Sequence, residues 1–290
     1  MERSNPLKAA AWMMGAVVSF TAMAVAGREL QAGMNTFEVM LYRSAIGFAI
    51  VVLLARVSDE GFAQLKSAHM GMHLKRNLVH YTGQNLWFFA VVQIPLSQLV
   101  ALEFTNPIWV ALLAPLLLGE RMTRPRLVGA LIGFLGVIVV AQPGRAPLEA
   151  GHVAALIAAV LFALNTIFTK QIMRHDSVLC VLFWMTLLQG VASLVLSLPG
   201  GIPGPTLGNL PWILVVGITG LSAHYSLTSA LGYAPASIVA PMEFVRLPFI
   251  ALVGMWVYGE PLRLAVFVGA GLIIAGNLVN VRGERRRAPA

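Results

Sequence analysis

Glu103 and Asn106 stand three residues apart, and so do Glu243 and Arg246, each pair inside a long apolar run. A charge at the centre of such a run costs about 2.5–3.5 kcal/mol on insertion scales, so it is kept where it binds, carries protons or meets an opposite charge. A spacing of three puts both members of a pair on one face of a helix. In that arrangement Arg246 could attract a carboxylate and a glutamate an ammonium, which together hold a zwitterion. Glu103 and Glu243 are also the candidates for proton coupling. Internal salt bridges, Glu243 with Arg246 or Glu103 with Arg43, would instead hold helices together, and the residues leave both readings open. Glu38 and Arg43 complete the set of charges within apolar runs.

A second group of polar residues has the spacing of a binding face. His80, Gln84 and Phe88 recur at intervals of four, with Tyr81 beside them, and His224-Tyr225-Ser226 sits in a later run. Tyr42 precedes Arg43, Trp184 follows Phe183, and Asn165 lies in mid-run. Hydrogen-bonding and aromatic groups converging on an interior suit a small, partly apolar organic solute. The alternative is that His and Tyr satisfy neighbouring groups, and that Trp184 and Trp109 are packing or interface anchors. Arg28 and Lys170 stand at run ends, where they would reach headgroups or cap C-terminal carbonyls. Glu120 and Glu260, each after a glycine, are expected to brace helix turns.

Enzyme chemistry finds no support. There is no His-Glu-x-x-His helix and no phosphate loop with its lysine. Ser226 and His224 are two apart and point to different faces. One cysteine, Cys180, offers neither a disulfide nor a cysteine cluster, so no metal and no resident cofactor are expected.

The elements that position these residues are long and apolar. The chain is 58% hydrophobic and 11% charged over 290 residues, with a mean hydropathy of +0.79. Runs of about 18 or more apolar residues recur, each able to cross a ~30 Å hydrocarbon core as a helix. Spans are expected near 7–28, 36–55, 76–93, 95–118, 126–142, 151–172, 177–198, 210–231, 235–258 and 262–281. The first resembles a signal peptide around Ala24-Val25-Ala26, but it is long for one and completes the first set of five, so it is expected to remain.

Ten spans put both termini on one side. The segments on that side hold 15 of the 20 Lys and Arg, whereas the opposite segments hold only Arg28, Arg145 and Arg263. Short basic loops face the cytoplasm, which predicts an N-in, C-in topology. The net charge of +8 is therefore topogenic, the tail Arg282–Arg287 meeting anionic lipid rather than nucleic acid.

The pattern occurs twice. Ser97–Val140 aligns without a gap on Ser237–Asn280 at an offset of 140, with 12 of 44 positions identical. The identities include Glu103-Phe104 with Glu243-Phe244, Gly119-Glu120 with Gly259-Glu260, Val128-Gly129-Ala130 with Val268-Gly269-Ala270, and Gly136 with Gly276. Phe20 to Arg28 likewise parallels Phe162 to Lys170. Five spans per copy is odd, so the second copy, residues 143–290, must be inverted relative to the first, 1–142. Arg121, Arg124 and Arg126 follow the first Gly-Glu, but only Arg263 follows the second, as opposite insertion requires.

These residues resemble the drug/metabolite transporter superfamily, in its bacterial EamA-type branch. The resemblance rests on Glu103-Phe104-x-x-Pro107, Leu118-Gly119-Glu120 and Ala240-Pro241-Met242-Glu243-Phe244, and covers nearly the whole chain. Pro107 and Pro248 fall one position out of register, and Arg121 corresponds to Pro261. The resemblance implies an all-α polytopic protein of the bacterial inner membrane, ten helices in two inverted repeats, carrying small metabolites by alternating access. The zwitterion pairs and the aromatic content of spans two, three and seven point to amino acids, hydrophobic or aromatic ones included, with export the expected direction. Uptake of a cofactor or nucleoside-like solute, or efflux of cationic drugs, is the alternative. A gradient or facilitated diffusion must drive either, since nothing here hydrolyses ATP. The expected partners are the solute and the lipid bilayer.

Overall fold

A computed structural model describes residues 6–118, 123–142, 148–233, 242 and 245–285. Among them every regular element is helical. In order they are α1 (Pro6–Leu30), α2 (Thr36–Val57), α3 (Met70–Gln93), α4 (Leu96–Glu103), α5 (Asn106–Leu118), α6 (Arg124–Ala141), α7 (Ala150–Ile172), α8 (Val178–Ser197), α9 (Leu210–Tyr233), α10 (Arg246–Tyr258) and α11 (Leu264–Arg285). Six stretches of the described residues are long and apolar enough to cross a membrane, and α6, α10 and α11 contribute shorter apolar helices. Helices are the shape required there, because each backbone N–H and C=O must bond within its own segment when no water is present.

The distribution of side chains is inverted relative to a water-soluble bundle. Leu53, Leu54, Leu131, Leu135, Ile138, Val191, Leu194 and Val195 are exposed, while His73, Arg76, Asn77, His80, Gln84, Gln189 and Ser193 are buried. An apolar perimeter around a polar interior fits lipid outside and solute inside. The helix missing from the apolar set is α3, because its inward face carries that polar series.

Local signals start the helices. Asn35 accepts hydrogen bonds from the backbone N–H groups of Phe37 and Glu38 at 2.9 and 3.1 Å, and Glu38 accepts from Asn35 N at 2.7 Å. This reciprocal cap accounts for Glu38, which read as an intramembrane charge but belongs to the first turn of α2. Ser177 caps α8 through Cys180 N at 3.1 Å.

The fourth apolar run, expected as one helix over 95–118, is broken. Phe104 and Thr105 form a turn between α4 and α5. Pro107, lacking an N–H, cannot bond the carbonyl four residues back. The Thr105 hydroxyl donates to Leu102 O at 2.7 Å, and Asn277 of α11 donates to Phe104 O at 3.2 Å. Glu103 therefore ends one helix and Asn106 begins the next. They do not share a continuous helix face.

Four pairings dominate the packing: α6 with α11, α1 with α9, α3 with α7 and α2 with α8. The first is backbone on backbone. A Cβ added at Gly136 would lie 2.5 Å from Gly269 O, one at Gly269 would lie 2.6 Å from Gly136 O, and one at Gly276 would meet Gly129 O. Small residues allow this approach, and close packing is the main source of helix association in lipid. A side chain at Gly136 or Gly269 would have to displace main chain as well as Ile273 or Val140. Gly136→Leu is thus expected to cost at least about 1–3 kcal/mol, read as a lower melting temperature in detergent. Gly271→Leu, at a position with nothing within 4 Å of an added Cβ, is expected to leave it unchanged.

Candidate functional site

The break between α4 and α5 places Glu103 beside the first residue of α10. Arg246 Nη2 lies 2.7 Å from Glu103 Oε1, and Trp87 Nε1–H donates to Glu103 Oε2 at 3.0 Å. The guanidinium lies 5.0 Å from the Phe20 ring centre and 5.2 Å from that of Phe104, distances at which rings attract a cation. Arg246 is buried and its Nε has no acceptor. A small pocket lined by Met13, Ala16, Val17, Phe20 and Arg246 opens next to it. Of the two internal salt bridges the sequence suggested, Glu103 with Arg43 is not formed; Glu103 pairs with Arg246 across the chain. Glu243 lies outside the described residues, and Asn106 is half-buried at the start of α5.

The polar face of α3 makes the second part. Gln84 Oε1 accepts from Arg43 Nη1 at 3.2 Å. Arg43 packs against Gly220 of α9, where a Cβ would stand 2.6 Å from its Nε. Gln189 of α8 donates through Nε2 to His80 Nδ1 at 2.9 Å and to Asn77 Oδ1 at 3.1 Å. The rings of His80 and His224 are 6.0 Å apart, edge to face, and His224 meets Phe20 at 5.7 Å. Ser193 donates to the Tyr81 hydroxyl at 2.9 Å. Asn165 carries a buried Oδ1 with no partner. The structure thus gathers Arg43, His80, Tyr81, Gln84 and His224 on facing helices.

Other expected residues sit elsewhere. Trp184 donates to Leu65 O at 3.0 Å near the start of α3 and α8, and Tyr42 donates to Pro203 O at 2.6 Å at the opposite end. Tyr225 faces outward and packs edge-on against Trp12. Arg76 and Gln189 escaped the sequence reading. Hydropathy starts the third span at Arg76 and so places that residue among the loop charges. The helix instead begins at Met70 and buries Arg76 nearly two turns inside. Gln189 had one available signal, a lone amide in an apolar run.

Each end of the bundle has its own polar tie. At the end carrying the α1–α2 turn, Arg28 donates through Nε to Val91 O at 2.8 Å and through Nη2 to Ile94 O at 3.0 Å, and forms an ion pair with Glu260. Glu260 also accepts from Leu96 N at 2.9 Å, the first N–H of α4. Arg28 does cap C-terminal carbonyls, but those of α3 rather than its own helix. Tyr258 closes the group, its ring 4.6 Å from the guanidinium and its hydroxyl donating to Glu29 at 2.9 Å. At the other end, Asp176 in the α7–α8 connection accepts from His73 Nε2 at 2.8 Å and from the Ser67 hydroxyl at 2.5 Å. Burial alone would raise the Asp176 pKa. The hydrogen bonds from Ser67 and His73, with the nearby imidazoles, outweigh it and hold the carboxyl below its usual range. Lys170 and Glu120, the sequence counterparts of Arg28 and Glu260, lie outside the described side chains.

A family model described as the EamA-like transporter family matches residues 7–142 and again 149–282. The chain is similar to a riboflavin transporter of Rhizobium johnstonii, 26% identical over 287 residues that cover 99% of this chain and 95% of the relative. It is similar to an S-adenosylmethionine uptake transporter of Rickettsia bellii, 24% identical over 275 residues, 95% of this chain and 94% of the relative. A solved crystal structure shares the fold with a TM-score of 0.67 and 18% identity, across 96% of this chain and 98% of that one.

Two tests follow from the end ties. Glu260→Ala leaves Arg28 without its carboxylate and Leu96 N–H without an acceptor, an expected loss of about 1–3 kcal/mol, measured by thermal melting. Arg28→Lys keeps the charge but cannot reach two carbonyls and a carboxylate together, so it is expected to melt below the wild type as well. Asp176 has a lowered folded pKa, so its contribution is present above the ordinary carboxyl value of 3.8 and is lost as pH falls through the lower folded value. The stability difference between wild type and Asp176→Asn is expected to shrink on acidification below that value, which a pH series of melting curves reads directly.

Proposed function

This chain belongs to the EamA-like transporter family, and on that premise we propose that it takes up a cofactor or nucleoside-like solute across the bacterial inner membrane. It is a carrier of small metabolites. The observation that carries the finer reading is the end-to-end similarity to carriers named for riboflavin and S-adenosylmethionine, both solutes with a heteroaromatic ring system. Amino-acid export, the direction and substrate the residues first suggested, has less support. The zwitterion argument needs Arg246 and a glutamate free to hold opposite ends of a solute; Arg246 is paired to Glu103, and Glu243 lies outside the described residues.

In the proposed mechanism residues 1–142 and 143–290 are inverted repeats that rock about the α6–α11 seam. The reciprocal glycine contacts support this, as do the crossed pairings α1–α9 and α3–α7, which exchange under such a two-fold. Broken helices with polar ends at the bilayer midplane are the usual setting of a carrier site. The solute would lie between the Glu103–Arg246 pair and the His80–Gln84 face, stacking on Phe20 and drawing on the N–H groups of Arg246. Access from outside requires the Arg28–Glu260 tie to open, and access from the cytoplasm requires the His73–Asp176 tie to open.

The test is flux into liposomes containing only this protein, with radiolabelled riboflavin, S-adenosylmethionine and an amino-acid mixture, run with and without a pH gradient. Uptake of a cofactor is expected, reduced at least tenfold by Arg246→Ala. Amino-acid flux without cofactor flux would sink the proposal. If the transport is proton-coupled through the glutamates, Glu103→Gln or Glu243→Gln abolishes its dependence on the gradient; unchanged dependence in both removes them from any coupling role.

A further inference from the structure

Among the described residues, two arginines in the polar interior have no acidic partner. Arg43 and Arg76 are each 4% exposed. Arg43 donates to Gln84 at 3.2 Å. Arg76 donates through Nε to Thr169 Oγ1 at 3.0 Å and through Nη2 to Met185 Sδ at 3.7 Å. Arg43 Nε and Arg76 Nη1 are buried without an acceptor. Neither guanidinium enters an ion pair among the described residues, where the pairs are Arg28–Glu260, His73–Asp176 and Arg246–Glu103.

The geometry brings the two toward one place. Arg76, His80 and Gln84 recur every four residues along one face of α3, so Arg76 and Gln84 are about 12 Å apart on the axis, and Arg43 is pinned at Gln84. His80 lies midway, with His224 6.0 Å across from its ring. Arg43 reaches Gln84 and Arg76 reaches Thr169 and Met185, so the two guanidiniums stand at either end of the face that His80 centres. Guanidinium does not deprotonate in proteins, so this region keeps two positive charges in a poorly polarisable interior. Such an arrangement opposes folding unless an anion completes it. Arginine is the side chain best shaped to hold carboxylate or phosphate oxygens.

We propose that Arg43 and Arg76 form a subsite for an anionic group of the transported solute, a carboxylate or a phosphoryl group, with His80 and His224 alongside. The subsite deepens, and rests on, the proposed carriage of a cofactor-like metabolite. The ring system would lie toward Phe20 and Arg246, and the anion toward α3. Uptake of a neutral cofactor alone would leave the two charges unanswered.

The experiment uses the full-length protein purified in detergent. Binding is measured for matched neutral and anionic solutes, riboflavin with riboflavin 5′-phosphate and adenosine with adenosine 5′-phosphate, and for inorganic phosphate alone. Wild type is expected to prefer the anionic member of at least one pair by tenfold or more. Arg43→Gln and Arg76→Gln are expected to reduce that preference to within about twofold, and Arg→Lys to retain part of it. In the ligand-free protein the double Gln variant is expected to melt at or above the wild-type temperature, because an uncompensated repulsion has been removed. A purely structural role predicts the reverse, a lower melting temperature with preference unchanged, and that result overturns the proposal. Riboflavin binding with no preference for any anion also overturns the subsite, while leaving the carrier reading in place. Anion preference with no flux of any solute in liposomes overturns the carrier reading and leaves the subsite.

Discussion

The ion pair between Glu103 and Arg246 is the interaction on which the central architecture depends. A lone charge at that depth is costly, and this pair is held where one helix ends and another begins. The ending of α4 and the start of α10 supply that meeting point. The break in turn frees a main-chain carbonyl, which Asn277 reaches from α11. Trp87, Phe20 and Phe104 then enclose the pair. One electrostatic requirement thereby bears on the interruption of a helix, the position of an asparagine on α11 and the aromatic surroundings of the pair.

The ties at the two ends differ in kind from this central pair. Arg28 and Glu260 satisfy backbone groups as well as each other, so the contact joins three helices through partners that water could replace. His73 and Asp176 are arranged similarly around a loop. All three pairs are largely buried. What distinguishes the Arg28–Glu260 tie is that it also satisfies main-chain groups, whereas the central pair meets side chains.

Much of the fold was legible in the sequence, because lipid imposes length and apolarity on each helix and charge on each loop. The recurring Gly129, Gly136, Gly269 and Gly276 read as identities of the repeat, and the structure shows that they form a seam. What escaped was set by contacts between distant residues. Helix periodicity put Glu103 and Asn106 on one face, but Pro107 and the partner carboxylate–guanidinium contact decided otherwise. Arg76 looked like a loop charge because hydropathy places span ends by composition, whereas α3 starts earlier to bury a polar face. Glu38 carried the pattern of an intramembrane acid, and the capping box Asn35–Glu38 absorbed it. The solute class lost support for the same reason: two charges assigned to a ligand, Glu103 and Arg246, meet each other.

The glycine seam also bears on descent. Gly136 against Gly269 and Gly276 against Gly129 are the same contact made twice, with the roles of the two strips exchanged. A surface that is complementary to itself needs no second gene. Under the proposed duplication, a half-length ancestor could have built this seam from two copies of one polypeptide, provided that the membrane accepted each orientation. Fusion would then have frozen the orientations, and the arginines after Gly119-Glu120 would mark the half that settled with that loop inward. Such a history leaves the seam under double constraint, as each glycine strip must still fit a sequence that once was its own.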